Sequence, residues 1–526
     1  MAGRAAMTRK PSVTLTQVTT AGDRASSPIS MSRYEDPQMR AIPASRAQST
    51  GPKAPGCDPR AVEKMGGRPD RPGEEGIEAT RVALLPARLP RRPRAVKRKG
   101  PMTDSRDGSA RLASEDWVSV WQGGALVLLV LVGVRPALPD FSWSAGRISE
   151  ALSWGDMTAA LLTGLLLLAI SAAGIRLIGG RTGAYLTGFG AVFFLAWMAR
   201  LIAGNTVLKE WGISYVIVAL VIGLVISNLG TVPTRMREAI RTEYYIKTGL
   251  VILGTNIVFG EILQAGLLGV AQALAVILVV WYLCFWVSKR LRVDDEFAVM
   301  LASAVSICGV SAAIATCGAI SGDRKKLSYV TSLVLIVAVP MTVLMPWVVD
   351  RLGMSPIVGG AWLGGTIDTS GAVVAAGEIL GDSALNAAVI VKFSQNALLG
   401  VAAFAISLWW ALRGREEGET RPTARVIWDR FPKFVLGFIA ASLLFSFVIG
   451  ADLVDSTGAL MKEIRTWWFA LAFTCIGLET RFRDLVSMDQ GRPAAAFLLG
   501  QGANIVWTLL VATILFGGGI FAVPDL

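Results

Sequence analysis

The sequence predicts an all-α polytopic membrane protein with about 11–13 transmembrane segments. Of its 526 residues, 53% are hydrophobic and only 17% are charged, whereas soluble domains carry roughly 25% charged residues. Apolar stretches long enough to cross, or nearly cross, a bilayer recur from Trp117 onward. The chain also contains 55 glycines, a composition typical of helices that pack closely in lipid.

The apolar stretches can be delimited one by one. The predicted segments are 117–134, 157–179, 184–204, 211–230, 246–259, 266–288, 296–320, 327–349, 356–380, 386–412, 432–451, 466–480 and 493–516. Tryptophans flank several of them, and Trp467 and Trp468 are expected at the membrane–water interface. Arg176 and Arg200 lie near segment ends and are expected to extend toward that interface.

A basic extension, residues 1–110, precedes the transmembrane domain of residues 111–526. The chain has a formal net charge of +12, and most of it falls in this extension. The extension is rich in Pro, Gly and Ser and buries too little apolar surface to offset its ordering entropy, so we predict disorder. Its most basic run, Arg88–Gly100, could contact nucleic acid or anionic lipid. A solvated cytoplasmic tail is the simpler prediction, with no nucleic-acid partner.

Two segments, 296–320 and 356–380, are interrupted by Gly, Ser and Thr. Counting crossings from a cytoplasmic N-terminus places the basic loops inside, except for the loop around Lys325. Both segments could be re-entrant hairpins, which would place every basic loop inside. Alternatively, both could be discontinuous helices that cross, with one basic loop as an exception.

The chain contains three internal matches that predict inverted repeats. Residues 306–315 align with 366–375, residues 249–263 with 472–486, and residues 267–279 with 498–511. The last two pairs lie an odd number of crossings apart, so their copies would have opposite directions. Inverted repeats with glycine-interrupted segments are typical of secondary transporters.

Polar residues inside these segments are the candidate substrate-binding residues, because polar groups in lipid are costly and mark functional sites. A helix that starts at an interruption directs free amides and its positive dipole end toward an anion. Close packing of small residues is the alternative explanation. The candidates are Ser306, Cys308, Gly309, Ser311, Gly365, Thr366, Asp368, Thr369, Ser370, Lys392 and Asn396.

Asp368 and Lys392 are the two intramembrane charges of this set. They could pair, or Lys392 could bind an anion while Asp368 takes up a proton. Lys392 could instead be a structural counter-ion. Because the chain has no histidine, carboxylates such as Asp368 and Glu479 are the candidate protonatable groups.

The composition argues against an enzyme. The absence of histidine excludes Ser-His-Asp and Cys-His nucleophiles and HExxH zinc sites. The five cysteines form no CxxC pair, and no phosphate-binding GxxxxGK[ST] loop occurs. We therefore predict a transporter without a cofactor or metal. A non-transporting membrane scaffold is a further alternative, but it would leave the buried polar clusters unexplained.

Several stretches resemble the YeiH-type sulfate exporter family. They are SICGVSAAIA (306–315), GGTIDTSGAVVAAG (364–377) and AAVIVKFSQN (387–396), with weaker likeness elsewhere in 205–516. That family resembles the cation–proton antiporter and anion transporter superfamily, which implies inverted repeats that cross at the substrate site. The resemblance implies a secondary active transporter of a sulfate-like anion, with proton or sodium coupling, in the cell inner membrane. A homodimer is compatible with this class.

The sequence departs from that family at one motif. Where the family reads Gly-Ser-Ile-His-Glu, this chain has Gly365-Thr366-Ile367-Asp368-Thr369. Asp368 would have to replace the histidine in proton coupling, or the coupling differs. A carboxylate would also repel an anion unless it is protonated or paired. A cation–proton antiporter that uses Asp368 is therefore the alternative function.

Overall fold

The computed structural model describes residues 114–144, 147–413, 425–482, 491–524 and 526. The predicted extension, residues 1–110, lies outside them. The main helices are α1 (Glu115–Leu131), α2 (Trp154–Leu177), α3 (Thr182–Ala203), α4 (Tyr215–Leu229), α5 (Thr242–Leu253), α6 (Phe259–Arg290), α7 (Asp295–Ser303), α8 (Val310–Ala319), α9 (Arg324–Arg351), α10 (Pro356–Thr366), α11 (Ser370–Leu380), α12 (Asp382–Ala397), α13 (Leu399–Arg413), α14 (Phe434–Leu443), α15 (Ala451–Glu479) and α16 (Gly491–Phe516).

Six helical spans in the described part are long and apolar enough to cross a membrane. They are α2, α3, α6, α9, α16 and the span formed by α12 with α13. The described part also contains shorter apolar helices, among them α4, α8, α11 and α14. The predicted all-α polytopic membrane fold is confirmed.

The first interrupted segment is a hairpin that enters and leaves on one side of the membrane. After α7 the chain forms a π-helical turn (Ala304–Cys308), passes Gly309 and continues as α8. Lys326 Nζ, at the start of α9, lies 3.1 Å from Glu296 Oε2 in the first turn of α7. Since only four residues separate α8 from α9, both ends of the segment lie at the same face. We call this segment hairpin 1.

The second interrupted segment, hairpin 2, consists of α10 and α11. α10 runs parallel to α12, as the contacts Gly360–Ala384 and Gly364–Ala388 show. α11 runs antiparallel to α12, as the contacts Gly377–Leu385 and Ser370–Asn396 show. α10 and α11 therefore return to the same face. α9 has 28 residues, or roughly 42 Å of helix, and connects the hairpins, so hairpin 2 enters from the face opposite hairpin 1.

The re-entrant arrangement places the two basic loops that flank hairpin 1 at one face. The end of α6 carries Arg290 and leads directly into hairpin 1, and Lys289 forms an ion pair with Asp295 of α7. Lys325 follows hairpin 1 at the same face. We call this side the basic face. Of the two alternatives left open by the sequence, the structure has the hairpins.

The internal matches correspond to elements of opposite direction. α5 is antiparallel to α15 and α6 is antiparallel to α16, as shown by the pairs Thr242–Glu479, Gly249–Phe469, Cys284–Gly500 and Ala275–Trp507. The described parts of the last two matches thus have the opposite directions that the sequence predicts. Hairpins 1 and 2, which carry the first match, also enter from opposite faces, a relation that the sequence did not predict for this pair.

Two predictions about segment ends are wrong. α15 begins at Ala451 instead of 466, so Trp467 and Trp468 lie within the helix, and both are fully buried. Arg200 does not extend to the interface, because its guanidinium packs between two rings, with Cζ 4.7 Å from the centroids of Phe141 and Trp467. Charged residues are accommodated in these helices because they form ion pairs between helices, such as Arg200 with Glu463.

Candidate functional site

The tips of the two hairpins touch each other. Gly309 has φ +57°, a conformation that favours glycine. A Cβ at this position would lie 3.1 Å from Cβ of Asp368 and 2.7 Å from a methyl of Val334 on α9. This position therefore requires glycine, both for its positive φ and for the lack of space for a side chain. The contact brings Gly309 and Asp368, both predicted site residues, together.

Lys392 on α12 connects the two tips. Its Nζ donates hydrogen bonds to the carbonyl oxygens of Ile307 and Ile367, each at 2.8 Å, and to Oε1 of Gln395 at 3.0 Å. An ammonium has three donors, so all of them are used inside the protein. The side chain is 2% exposed. Lys392 thus satisfies carbonyls that the interrupted helices leave without intrahelical donors.

Carboxamides hold the remaining broken backbone. Gln395 Nε2 donates to the carbonyls of Ser306 at 3.2 Å and Gly365 at 3.1 Å, one in each hairpin. The carbonyl of Thr366 accepts from Nε2 of Gln501 at 2.9 Å and from Nδ2 of Asn504 at 3.2 Å, both on α16.

The carboxamide side chains of Gln395, Gln501 and Asn504 were not among the site residues predicted from the sequence. Gln272 on α6 is a further such residue, because its Nε2 donates to the carbonyl of Ala361 in α10 at 2.7 Å. Asn504 also reaches hairpin 1, donating to the carbonyl of Val305 at 3.1 Å. The signal that could have found them is the carboxamide itself, which is rare in lipid and forms interhelical hydrogen bonds there.

Asp368 is the exception in this otherwise satisfied region. It is 1% exposed, and neither carboxylate oxygen has a hydrogen-bond partner among the described residues. The hydroxyl of Thr366 is likewise buried without a partner there. The predicted pairing with Lys392 is not formed as a hydrogen bond. An isolated ionised carboxylate is costly to bury. Asp368 therefore differs from neighbouring Lys392, whose three donors are all used.

A crevice of about 460 Å³ reaches the hairpins from the basic face. It is lined by four predicted site residues: Cys308, Ser311, Ser370 and Asn396. The N-termini of α8 and α11 both open into it, since Ser311 and Ser370 belong to their first turns. Asn396 Nδ2 donates to the Ser370 hydroxyl at 3.1 Å, which leaves the hydroxyl proton free to turn toward the crevice.

The outer wall of this crevice carries mixed charge. Lys247 of α5 forms ion pairs with Glu115 Oε1 at 3.1 Å and with Asp116 Oδ1 at 2.9 Å. Glu243 and Lys433 also line it. The positive end of the crevice therefore lies at the half-helix N-termini, away from these compensated pairs.

Other predicted site residues stabilise local structure. Ser306 Oγ donates to the carbonyl of Ala302 at 2.7 Å within hairpin 1. Thr369 caps α11, its hydroxyl accepting from the amide of Ala372 at 3.3 Å. Gly365 allows close approach of α6, because a Cβ there would lie 2.4 Å from Nε2 of Gln272.

Comparison with known proteins identifies the family. A family model described as "Conserved hypothetical protein 698" matches residues 187–494. A UPF0324 membrane protein of Rhodopirellula baltica is 40% identical over 385 residues, covering 71% of this chain and 70% of that protein. The chain belongs to the UPF0324 family of membrane proteins. The matched span contains both hairpins and Lys392.

Other UPF0324 proteins show the same relation. One from Nitratidesulfovibrio vulgaris is 38% identical over 359 residues, which cover 66% of this chain and 62% of that relative. One from Nitrosomonas europaea is 28% identical over 451 residues, covering 73% of this chain and 91% of that relative. The names of these relatives state a membrane protein and specify no substrate. No solved structure matches the chain.

Proposed function

We propose that this UPF0324 protein is a secondary transporter of a small oxyanion, sulfate-like in charge and shape, and that it works by alternating access. The observation that carries the proposal is the pair of half-helix N-termini that open into one crevice. They come from hairpins that enter from opposite faces and belong to an inverted repeat. Such repeats with broken helices at their interface are the architecture of secondary transporters.

The seat for the anion is formed by backbone amides and hydroxyls. The first intrahelical hydrogen bond of α8 runs from the amide of Ala313 to the carbonyl of Gly309 at 2.9 Å, so earlier amides point out of the helix end. In α11, Val373 bonds to Thr369 at 3.0 Å and the Thr369 hydroxyl caps the amide of Ala372, so the amides of Ser370 and Gly371 are the ones that point out of the helix end. Two helix ends and the hydroxyls of Ser311 and Ser370 together offer donors of the kind that bind oxyanions.

Lys392 has a different part in this proposal from the one the sequence suggested. Because its three donors are used on Ile307, Ile367 and Gln395, we assign the anion to the amides instead of the ammonium. Lys392 supports the seat by holding both broken backbones in place and by contributing positive potential nearby.

Asp368 is our candidate for coupling to a proton. It lies at the contact of the two tips and lacks a hydrogen-bond donor in the described structure. A carboxylate in this position changes charge when it binds or releases a proton, and repulsion of the anion changes with it. Movement of the tips during transport would expose Asp368 to one side or the other.

Cation–proton antiport is the second candidate function. The orphan oxygens of Asp368 favour it, together with those of Thr366 and Gln501, which are also buried without partners in the described part. Oxygen atoms without donors suit a hard cation. A sodium gradient that drives proton movement without any anion would support this function over anion transport.

We also propose the orientation of the chain. The basic face carries Arg290, Arg292 and Lys325, and positively charged loops remain on the cytoplasmic side. The crevice at the hairpins would then open to the cytoplasm in an inner membrane, with the N-terminus on the same side. Accessibility of single cysteines at exposed loop positions to a membrane-impermeant thiol reagent in intact cells tests this orientation.

Flux measurements test the transport proposal. The purified full chain is reconstituted in proteoliposomes, and uptake of radiolabelled sulfate is measured with and without a proton gradient, with sodium chloride as the non-oxyanion comparison. The double variant Ser311→Ala/Ser370→Ala removes two hydroxyls from the seat and is expected to reduce sulfate flux at least about 10-fold. Ser328→Ala changes an exposed serine on α9 and serves as the matched control. Wild-type flux in the double variant, or no oxyanion flux in the wild type, would contradict the proposal.

A further inference from the structure

A second crevice, of about 660 Å³, opens on the face opposite the basic face. It lies where α3, α4 and α15 meet the end of α11, whose Ile379 forms part of its wall. Ile379 lies near the C-terminal end of hairpin 2, at the face from which this hairpin enters. The two crevices therefore adjoin opposite ends of α11, since Ser370 at its start lines the first crevice. Ser370 and Ile379 are separated by roughly 14 Å of helix rise along α11.

This second crevice contains buried donors without partners. The Nη1 of Arg200 and the hydroxyl of Ser214 are buried and have no hydrogen-bond partner in the described residues, whereas the hydroxyl of Tyr215 donates to the Glu378 carboxylate. All three residues line the crevice. Buried polar atoms are nearly always satisfied in folded proteins. Two unsatisfied donors in one crevice therefore indicate a ligand that accepts hydrogen bonds.

The N-terminus of α4 adds to these donors. α4 begins at Tyr215, and its N-cap residue Ser214 makes no side-chain cap hydrogen bond. The first intrahelical bond runs from the amide of Val218 to the carbonyl of Ser214 at 3.3 Å. The amides before Val218 are thus the orphan donors of a 15-residue helix, at its positive dipole end.

Arg200 is held rigidly for such a role. Its guanidinium lies between the rings of Phe141 and Trp467, and its Nη2 forms an ion pair with Glu463. The side chain is 11% exposed. Nη1 is the part of the guanidinium that this packing leaves without a partner. A planar guanidinium fixed on one side presents the other side in a defined direction.

The charges around the crevice balance each other. Lys209 lines it and donates to the hydroxyl of Ser142 at 3.2 Å, and Asp140 and Glu463 contribute negative charge to the same wall. Glu378 also lies close enough to interact electrostatically with Tyr215. Selectivity here would therefore come from directed donors and not from excess positive charge. Directed donors favour a small anion with several acceptor oxygens.

We infer that this crevice is an oxyanion-binding site at the opposite end of the transport path. The inference rests on the proposed function and deepens it, because it names where the anion binds on the second face. The ligand class is a small anion with several oxygens, such as sulfate or phosphate. The Ser214 hydroxyl, Arg200 Nη1 and the first amides of α4 supply the donors.

The variant Ser214→Ala/Tyr215→Phe gives a clean test. The Ser214 oxygen that it removes has no hydrogen-bond partner in the described structure, so Ser214→Ala alone should leave thermal stability unchanged. The Tyr215 oxygen donates to Glu378, and Tyr215→Phe alone measures the effect of losing that contact. A hydrogen bond to a charged group is worth enough that loss of the Ser214 hydroxyl is expected to weaken anion binding about 10-fold or more. Tyr282→Phe, at a tyrosine that is 67% exposed, combined with Ser328→Ala, is the matched control.

The experiment measures equilibrium binding of radiolabelled sulfate, and separately phosphate, to the purified full chain. Wild-type protein is expected to bind at two sites. Ser214→Ala/Tyr215→Phe should lose one site, and Ser311→Ala/Ser370→Ala should lose the other. Unchanged binding of both anions to Ser214→Ala/Tyr215→Phe, or no binding of either anion to the wild type, overturns the inference.

Two further arms separate the remaining explanations. In nanodiscs, displacement of sulfate from the Ser214–Tyr215 site by phosphatidylglycerol at ordinary lipid content would assign the site to a lipid phosphate and overturn binding of a free anion. In proteoliposomes, Ser214→Ala/Tyr215→Phe should raise the KM for sulfate supplied at the face opposite the basic face, and should leave the KM for sulfate supplied at the basic face unchanged. If transport fails in every preparation while the site still binds sulfate, the proposed function fails and the binding site stands.

Discussion

Replacing Lys392 by methionine tests the assignment that this residue holds the two hairpins together. The change keeps a long, unbranched side chain but removes the ammonium. It leaves three acceptors without their donor, on Ile307, Ile367 and Gln395, which Nζ now contacts at 2.8–3.0 Å. An unsatisfied buried acceptor costs about 1–3 kcal/mol, so the three together would cost up to about 9 kcal/mol.

The net effect of this replacement is smaller than that sum. The variant no longer buries a charged ammonium, which offsets part of the loss. We expect a net destabilisation of about 3–5 kcal/mol, as found when one partner is removed from a buried charged network. Lys325→Met, at an exposed lysine on the basic face, is expected to change stability by less than about 0.5 kcal/mol.

Thermal unfolding in detergent, followed by tryptophan fluorescence, measures this difference. The midpoint of Lys392→Met should fall clearly below those of the wild type and Lys325→Met. Equal midpoints for the two variants would refute the assignment. A stable Lys392→Met protein that has lost sulfate binding would show instead that the ammonium contacts the anion directly.

Three further predictions concern the tips and the opposite face. Gly309→Ala should destabilise the protein by more than Gly353→Ala in the same thermal assay, because both glycines have φ near +60° but only Gly309 has neighbours within 4 Å of an added Cβ. Asp368→Asn should abolish the response of sulfate flux to a proton gradient, and a retained response would exclude Asp368 as the coupling group. Arg465→Met should cost about 3–5 kcal/mol because it leaves buried Glu378 unpaired. Lys462→Met, which breaks an exposed pair, should cost at most about 1 kcal/mol.

The sequence predicted the candidate site well in some respects. Glycine, serine and threonine interrupt two apolar segments, and both segments are broken in the structure at those residues, at Gly309 and just before Ser370. Asp368 and Lys392 were the intramembrane charges, and both lie at the contact of the hairpins. These features are local, since Ser and Thr compete for nearby backbone hydrogen bonds and glycine adds conformational freedom, which disfavours the helix interior.

Partners across the fold could not be predicted in the same way. From the sequence, Lys392 could contact an anion, Asp368 or the backbone. In the structure it bonds to the carbonyls of Ile307 and Ile367, which are available because the helices are interrupted at positions distant in the chain. Arg200 was expected at the interface, because its position near a segment end gives no sign of the rings of Phe141 and Trp467. α15 extends beyond its apolar part because ion pairs with other helices accommodate its charged first half.

By itself, the sequence determined that this protein lies in a membrane and where its two interrupted helical segments are broken. Both properties depend on apolar length and helix-breaking residues, which act over a few turns of chain. Tertiary structure alone decided the faces from which the hairpins enter, the partners of Lys392 and the unsatisfied donors at Arg200 and Ser214. Each of those depends on hydrogen bonds or packing between residues far apart in the chain. One sequence pattern is compatible with several such pairings, and packing selects among them.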